Sequence, residues 1–383
     1  MSLKEPTFTF GIEEEYHLVS LESRDLAPAP AAMMSALEAA LGRQVSPEFL
    51  RSQVEIGTLP TRDYRSALAE LVRLRAVVAG EARKHGLAPM AAATHPFGRP
   101  REVQTTKRER YMGLERDLVG VARRLGVCGM HVHVAIEDDE LRIDIMNQMR
   151  YFLPHLLMLS TSSPYWEGED TGLKSYRLAV LDEMPRTGIP GRFESYDQYS
   201  RTIDVLVSAG VMDDATMVWW DLRPSARFPT LEMRISDVCP IAADAVTIAA
   251  LYVCIARMLY RLRRQNLSWR GYPLFLLEEN RWRAQRYGVS ERLFDFGKAQ
   301  LVPFQQLLDE LLELVAEDAA ALGCTDEIAR ARAIAREGTS ADRQVAHMER
   351  HLQDGGDRDQ GLRSLVDLLV EETLDGVCGV SRL

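Results

Sequence analysis

The chain has 383 residues, 46% of them hydrophobic and 27% charged, with a formal net charge of −10. That is ample material for a buried core and the wrong charge balance for a general nucleic-acid binder, which needs a basic face toward phosphate backbones. Five scattered cysteines (Cys128, Cys239, Cys254, Cys324, Cys378), never in a CxxC spacing, argue against a disulfide framework and a thiolate zinc site.

The first residues, Met1 to Pro6, carry no apolar stretch of the secretory kind, so a cytoplasmic location is expected. Residues 7–19 then alternate as a strand. Within Phe10-Gly11-Ile12-Glu13-Glu14-Glu15-Tyr16, Glu13 and Glu15 share one face, because side chains alternate along a strand. Three consecutive acids among Phe, Ile and Tyr also require at least one acid to face inward. A short helix is expected over 30–41. A second short strand, Gln53-Val54-Glu55-Ile56-Gly57, offers one more inward carboxylate. Tyr64 to His85 has helical periodicity, with Leu68, Leu71, Val72 and Val78 on one stripe and Gly86 as a stop. Leu87 to Thr94 reads as a buried strand. Residues 99–110 read as a polar loop leading into a helix through about Leu125.

The strand expected over 127–136 holds Gly129-Met130-His131-Val132-His133-Val134, with both imidazoles on one face. A helix follows from Asp139 to about Ser160, its Met146, Met149 and Met158 assigned to the core. Residues 161–198 are turn-rich, with interleaved aromatics and arginines, and long ordered loops of this kind serve binding. Trp219-Trp220-Asp221 opens a further strand region. It leads through Arg223 to Thr230-Leu231-Glu232-Met233-Arg234-Ile235, which sets a carboxylate and a guanidinium on one face. Beyond Ile241 the chain reads as almost wholly helical. Its most apolar stretch, Ala245 to Ala256 between Asp244 and Arg257, is too short to span a bilayer, so no membrane partner is expected. No repeat or linker divides the chain. A single catalytic domain over 1–383 is expected, α+β with a largely antiparallel sheet and a mostly helical part over 241–383.

There is no G-x-x-x-x-G-K-[ST], no G-x-G-x-x-G and no G-x-S-x-G, so a bound nucleotide would have to be held by carboxylate-bound metal. Taken singly, each polar pair has an ordinary explanation. An ExE is most often a solvated strand face. An HxH strand can be a zinc site, a cupin-type site or two hydrogen-bonded core histidines, and Glu232 with Arg234 reads as surface neighbours or as partners of charges on adjacent strands. Three same-face pairs on three strands are harder to attribute to chance. Four acids, two imidazoles and an arginine on one sheet face would repel or stay buried and unpaired unless something cationic sits among them. Divalent cations on a nucleotide's phosphates resolve that conflict. Cys128, three residues before His131, reads as a small buried hydrophobe rather than a nucleophile.

Phe-Gly-Ile-Glu13-Glu-Glu15, Gln53-Val-Glu55-Ile-Gly, Gly129-Met-His131-Val-His133 and Leu-Glu232-Met-Arg234 resemble, in order and spacing, the glutamate–cysteine ligase type 2 family, the bacterial carboxylate–amine ligases. The segments Ser163-Pro-Tyr-Trp, Pro185-Arg-Thr-Gly-Ile-Pro, Trp220-Asp-Leu-Arg223-Pro and Glu279-Asn-Arg-Trp-Arg283 look like that family's too, so the resemblance runs from about residue 7 to 350. More distantly, the ExE, GMHxH and ExR elements are similar to the catalytic half of glutamine synthetase. The resemblance implies a glutamine synthetase-like fold, an open funnel-like site on an antiparallel sheet with helices packed behind it. It also implies ATP, two or three Mg²⁺ ions (with Mn²⁺ as an alternative) and phosphorylation of a carboxylate. By that analogy Glu13, Glu15, Glu55, His131 and Glu232 are metal ligands, and His133 and Arg234 contact phosphates. Arg177, Arg186 and Arg223 are candidates to hold substrate carboxylates, structural salt bridges being the alternative for each. The expected substrates are L-glutamate or a related acid and an amine such as L-cysteine, with a homodimer as the assembly. A phosphotransferase on the same fold and a non-catalytic ATP or metabolite sensor remain alternatives. An HxH-type hydrolase is disfavoured, because the later histidines (His155, His347, His351) fall in expected helices.

Overall fold

The computed structural model describes residues 4–107, 109, 112–113, 116 and 119–376. A seven-stranded antiparallel sheet organises the molecule. Its order runs from the hairpin Leu222–Pro224 and Thr230–Met233, through β5 (Met130–Ala135) and β1 (Phe10–Ser20), to β3 (Gln53–Gly57) and β2 (Val45–Pro47). The far end of β1 also pairs with β4 (Leu87–Met90). The α+β, largely antiparallel class expected from sequence is the one found.

β1 sits near the middle because its alternation suits a strand covered on one side only. Phe10, Ile12, Tyr16 and Leu18 are buried, with Phe10 stacked on Tyr64 at 4.5 Å. Each such side chain removed from water contributes about 1.5–3 kcal/mol. Glu14 lies on this buried face and is the acid that faces inward. Arg75 from α2 (Tyr64–Arg83) grips it with two bonds, Nη2 to Oε1 at 2.7 Å and Nε to Oε2 at 3.0 Å, and the Tyr16 hydroxyl donates to Oε2. Further Arg75 donors reach the carbonyls of Cys239 at 2.8 Å and Thr373 at 3.3 Å. A buried carboxylate is tolerated here because both its oxygens accept hydrogen bonds and the Arg75 donors are shared between it and the carbonyls of Cys239, Pro240 and Thr373.

Helices pack behind the sheet. The 23-residue helix Ala242–Arg264 is longer than the apolar stretch read from sequence. It passes a membrane-span test by length and composition, but 89% of its apolar window is buried within the protein, which makes it a core helix. The helix expected from Asp139 to Ser160 breaks in two, Asp139–Met149 and Leu153–Ser160. Pro154 accounts for the break, since it lacks the N–H that a continuous helix needs and clashes with the preceding turn. Met146, Met149 and Met158 are buried as expected. A helix at Tyr196–Ser208, capped by Ser195, falls where turns end in the sequence reading. A hairpin, Arg292–Asp295 with Gln300–Pro303, interrupts the otherwise helical C-terminal part. The helix expected to run to about Leu125 lies largely outside the described residues, apart from a 3-10 turn at Ala122–Arg124.

Candidate active site

On the face of the sheet opposite Glu14, strand register brings the sequence pairs together. Glu13 stands across from His131, Glu15 across from Glu55, and Glu232 across from His133. Opposed residues in an antiparallel pair lie close enough for their side chains to meet. His131 Nδ1 is 3.5 Å from Glu13 Oε2, His133 Nε2 is 3.5 Å from Glu13 Oε1, and His131 Nε2 is 3.9 Å from Glu15 Oε1. Arg234 closes the group, donating to Glu232 and lying 3.3 Å from His131 Nδ1.

The charges divide the site into two halves. On one side, Glu232 is held between arginines. Arg223 bonds it through Nε to Oε2 at 2.8 Å and Nη2 to Oε1 at 3.3 Å, and Arg234 bonds Oε1 as well. Burial would raise the Glu232 carboxyl, but the two guanidiniums outweigh it and hold it well below the usual carboxylate range. Burial likewise acts to raise Glu13, and hydrogen bonds and charge from His131 and His133 pull it far down instead. His133 ends above its ordinary value, since Glu13 and Glu232 overcome its burial. Its Nδ1 also pairs with Thr230 Oγ1 at 3.0 Å.

The other side is crowded with anions. Burial pushes Glu55 well up, and the charges of Glu48, Glu13 and Glu15 add to it, while Ser46 donates to Oε1 at 2.9 Å. Glu15 is raised by burial and by Glu48, although the Gly129 N–H donates to its Oε2 at 2.6 Å. Burial and the Arg234 charge lower His131. Its Nε2 is buried without a hydrogen-bond partner among the described residues.

Two groups of ligand atoms, Glu13/His131/Glu232 and Glu15/Glu55/His131, each lie within 4.8 Å of one another. Each group offers two carboxylate oxygens, the donors that suit Mg²⁺ or Mn²⁺, beside a single imidazole nitrogen. The orphaned His131 Nε2 and the mutually repelling Glu15 and Glu55 are what a divalent cation between them would satisfy.

The three candidate substrate arginines part company. Arg223 is in the site through Glu232. Arg177 lies in the first turn of a short helix, Tyr176–Leu181, and is 2% exposed, its terminal nitrogens bonded to the carbonyls of Arg234 at 3.1 Å and Ile235 at 3.4 Å. Arg186 lies over the Trp219 ring at 5.4 Å and donates from Nε to the Met217 carbonyl at 2.9 Å. Cys128 is fully buried beside Gln53, its thiol pushed well up by burial, as a packing residue should be.

Sequence reasoning missed Glu48 and Asp237. Glu48 follows β2 and carries no alternation signal. Asp237 is fully buried and collects Ser162 N–H at 2.9 Å, Ser163 Oγ at 2.8 Å and Ser175 Oγ at 2.8 Å. It pins the start of the 161–198 region beneath the site, and the serine cluster was its one legible trace.

A family model described as glutamate-cysteine ligase family 2 matches residues 9–367. A Rhodospirillum rubrum protein named "Putative glutamate--cysteine ligase 2" is 53% identical over 377 residues, covering 97% of each chain. A Jannaschia sp. protein of the same name is 52% identical over 365 residues, covering 95% of this chain and 96% of its own. Among solved structures, a glutamate–cysteine ligase from Francisella tularensis in complex with AMP superposes with a TM-score of 0.69 at 13% identity, covering 98% of this chain and 94% of that one. A bifunctional glutathione synthetase from Pasteurella multocida gives 0.70 at 16% identity, covering 96% of this chain and 52% of that one. These two structures share the fold.

Proposed function

The chain belongs to glutamate-cysteine ligase family 2, and from that premise we propose that it is an ATP-dependent carboxylate–amine ligase acting through an acyl phosphate. The observation that carries this reading is the convergence of Glu13, Glu15, Glu55, His131 and Glu232 on one sheet face, with His131 Nε2 left without a hydrogen-bond partner among the described residues.

A carboxylate is a poor acyl donor because its oxide leaving group is strongly basic. Transfer of the γ-phosphoryl group of ATP to a carboxylate oxygen releases ADP and makes an acyl phosphate. The amine nitrogen then attacks the carbonyl carbon, phosphate leaves with the C–O bond pair, and the nitrogen sheds its proton to solvent. Mg²⁺ held by Glu13, Glu15, Glu55, His131 and Glu232 would neutralise phosphate oxygens and keep the transfer in line.

The chain's own groups have separate tasks. Arg234 stands at Glu232 with a planar fork suited to a phosphate, so it exchanges one anion for another when nucleotide arrives. Arg223 stays bidentate on Glu232 and keeps that carboxylate ionised and oriented. His133, raised by Glu13 and Glu232, is ready to donate to a phosphate oxygen. The 161–198 region, anchored by Asp237, has the task of keeping water from the acyl phosphate.

The acid is L-glutamate or a close relative, its α-carboxylate met by an arginine, with Arg186 the candidate that remains, since the Arg223 donors are committed to Glu232 and to the Thr216 and Val218 carbonyls. The amine site is permissive, cysteine being one acceptor, because no motif dictates a thiol pocket. A site that recognises its substrate by hydrogen bonds rejects analogues lacking those groups better than one that fits an apolar shape. The test is ADP release across a panel of acids and amines, with mass spectrometry of the products and hydroxylamine as a trap. Glutamate-dependent turnover with an amide or hydroxamate product supports the ligase. ATP turnover without either product under any combination refutes it and favours a phosphotransferase.

A further inference from the structure

Among the described residues, Arg177 is a buried cation without a close carboxylate partner. Its nearest ion-pair contact, Nη1 to Asp237 Oδ1, is 4.0 Å, and both Asp237 oxygens are already taken by Ser162, Ser163 and Ser175. Its Nε has no hydrogen-bond partner among the described residues. A guanidinium buried on such terms is costly and stays only where surrounding groups hold it.

What it touches are the backbones of two site residues. Its terminal nitrogens hold the carbonyls of Arg234 and Ile235. The Arg234 N–H donates in turn to the Asp221 carbonyl at 2.8 Å, so the peptide groups on both sides of the Arg234 Cα are held. The guanidinium also lies flat against Gly129. A Cβ added there would come 2.3 Å from Arg177 Nη2 and 2.8 Å from its Cζ, a contact that only glycine permits. The N–H of that same Gly129 donates to Glu15.

We infer that Arg177 is a positioning residue: it sets the Arg234 main chain and the Gly129 N–H that orients Glu15, and it supplies buried positive charge beside the anion-rich half of the site. This rests on the ligase reading. It replaces the expectation that Arg177 holds a substrate carboxylate, because its donors are turned to main chain and it has no exposed edge.

The test combines Arg177→Lys and Gly129→Ala in the full-length protein, the second displacing the guanidinium without removing it. Mn²⁺ binding is followed by the electron paramagnetic resonance signal of free ion, and ATP turnover by ADP release. Loss of a group that orients a ligand costs about 10–100-fold in metal affinity or activity, and that is expected for kcat and Mn²⁺ affinity in both variants. KM for L-glutamate stays within about twofold, as expected when no direct substrate contact is lost. The double variant is no worse than the poorer single one, because both act through one contact.

A large rise in glutamate KM with Mn²⁺ binding unchanged overturns the inference in favour of direct substrate contact. Unchanged Mn²⁺ binding and kcat in both variants overturns it in favour of simple space-filling. Should Arg177→Lys fail to fold by circular dichroism, Gly129→Ala decides alone. Failure of the ligase reading would show separately, as wild-type protein that binds Mn²⁺ and releases no acid-dependent ADP, and the Mn²⁺ arm would still judge Arg177.

Discussion

Divalent cations should stabilise this protein, and Glu55 should be the residue that reveals it. Glu55 is pushed up by its burial and by Glu48, Glu13 and Glu15, so in metal-free protein it is a source of repulsion. An ion at one hundred times its dissociation constant stabilises the folded state by about 2.7 kcal/mol. With an unfolding entropy of roughly 2.1 cal/mol/K per residue, 383 residues give about 0.8 kcal/mol/K, so that binding raises Tm by about 3 °C. Differential scanning fluorimetry with Mg²⁺ or Mn²⁺ against EDTA reads the shift. Glu55→Gln should melt no lower than wild type in EDTA, since the amide stands in for the protonated acid and cannot become a repelling charge, and should lose most of the metal-induced shift. The sign with pH follows from the raised acids. Folded Glu15 and Glu55 bind protons that the unfolded chain has lost, so metal-free stability falls as pH rises above the ordinary carboxylate range. A cation requires both deprotonated, so the metal-induced shift shrinks as pH falls toward that range. The absence of any shift at saturating metal, or an undiminished shift in Glu55→Gln, would refute the two-half description of the site.

Other outcomes follow from named contacts. Arg234→Lys should keep the fold and lose about a hundredfold in turnover, because an ammonium cannot reproduce the planar fork, with a smaller loss for His133→Ala. Glu14→Gln should cost about 3–5 kcal/mol by leaving Arg75 buried and unpaired, and on the same entropy scale Tm falls by about 4–6 °C in a thermal melt. Cys128→Ala should turn over at a rate within about twofold of wild type, because a fully buried neutral thiol is a packing group. Turnover abolished by that substitution in a folded protein would make Cys128 a nucleophile.

The candidate site was legible where it obeys strand alternation. Glu13, Glu15, His131, His133 and Glu232 each needed only a period of two, and the need for one inward acid was met by Glu14. Alternation gives a face but no partner, so the Arg75 clamp could not be read, Arg75 being one of many helical arginines. The main-chain contacts of Arg177 were hidden for a related reason, since interleaved arginines in a turn-rich stretch look the same whether they face solvent or brace a backbone. Glu48 left no signal because it lies past a strand end. The break at Pro154 was open to reading, and strong apolar periodicity on either side hid it.

The Glu14–Arg75 contact behind the sheet also bears on how the molecule comes together. Arg75 reaches the Thr373 carbonyl, 298 residues later, and Ala91 donates to the Thr373 hydroxyl at 2.9 Å. During synthesis at about 5–20 residues per second, β1 and α2 would leave the ribosome roughly 15–60 s before the helix that completes their interior. The candidate site waits as well, because Arg234 lies 103 residues beyond His131. Until then a nascent chain exposes a bare arginine, an acidic strand and open sheet edges, the kind of intermediate that invites aggregation or chaperone capture. Removing Arg358–Thr373, whose Leu362, Leu365, Val366, Leu369 and Val370 pack with Val19, Ala88 and Met90 rather than with the acids, should therefore lower the yield of folded protein before it touches the chemistry.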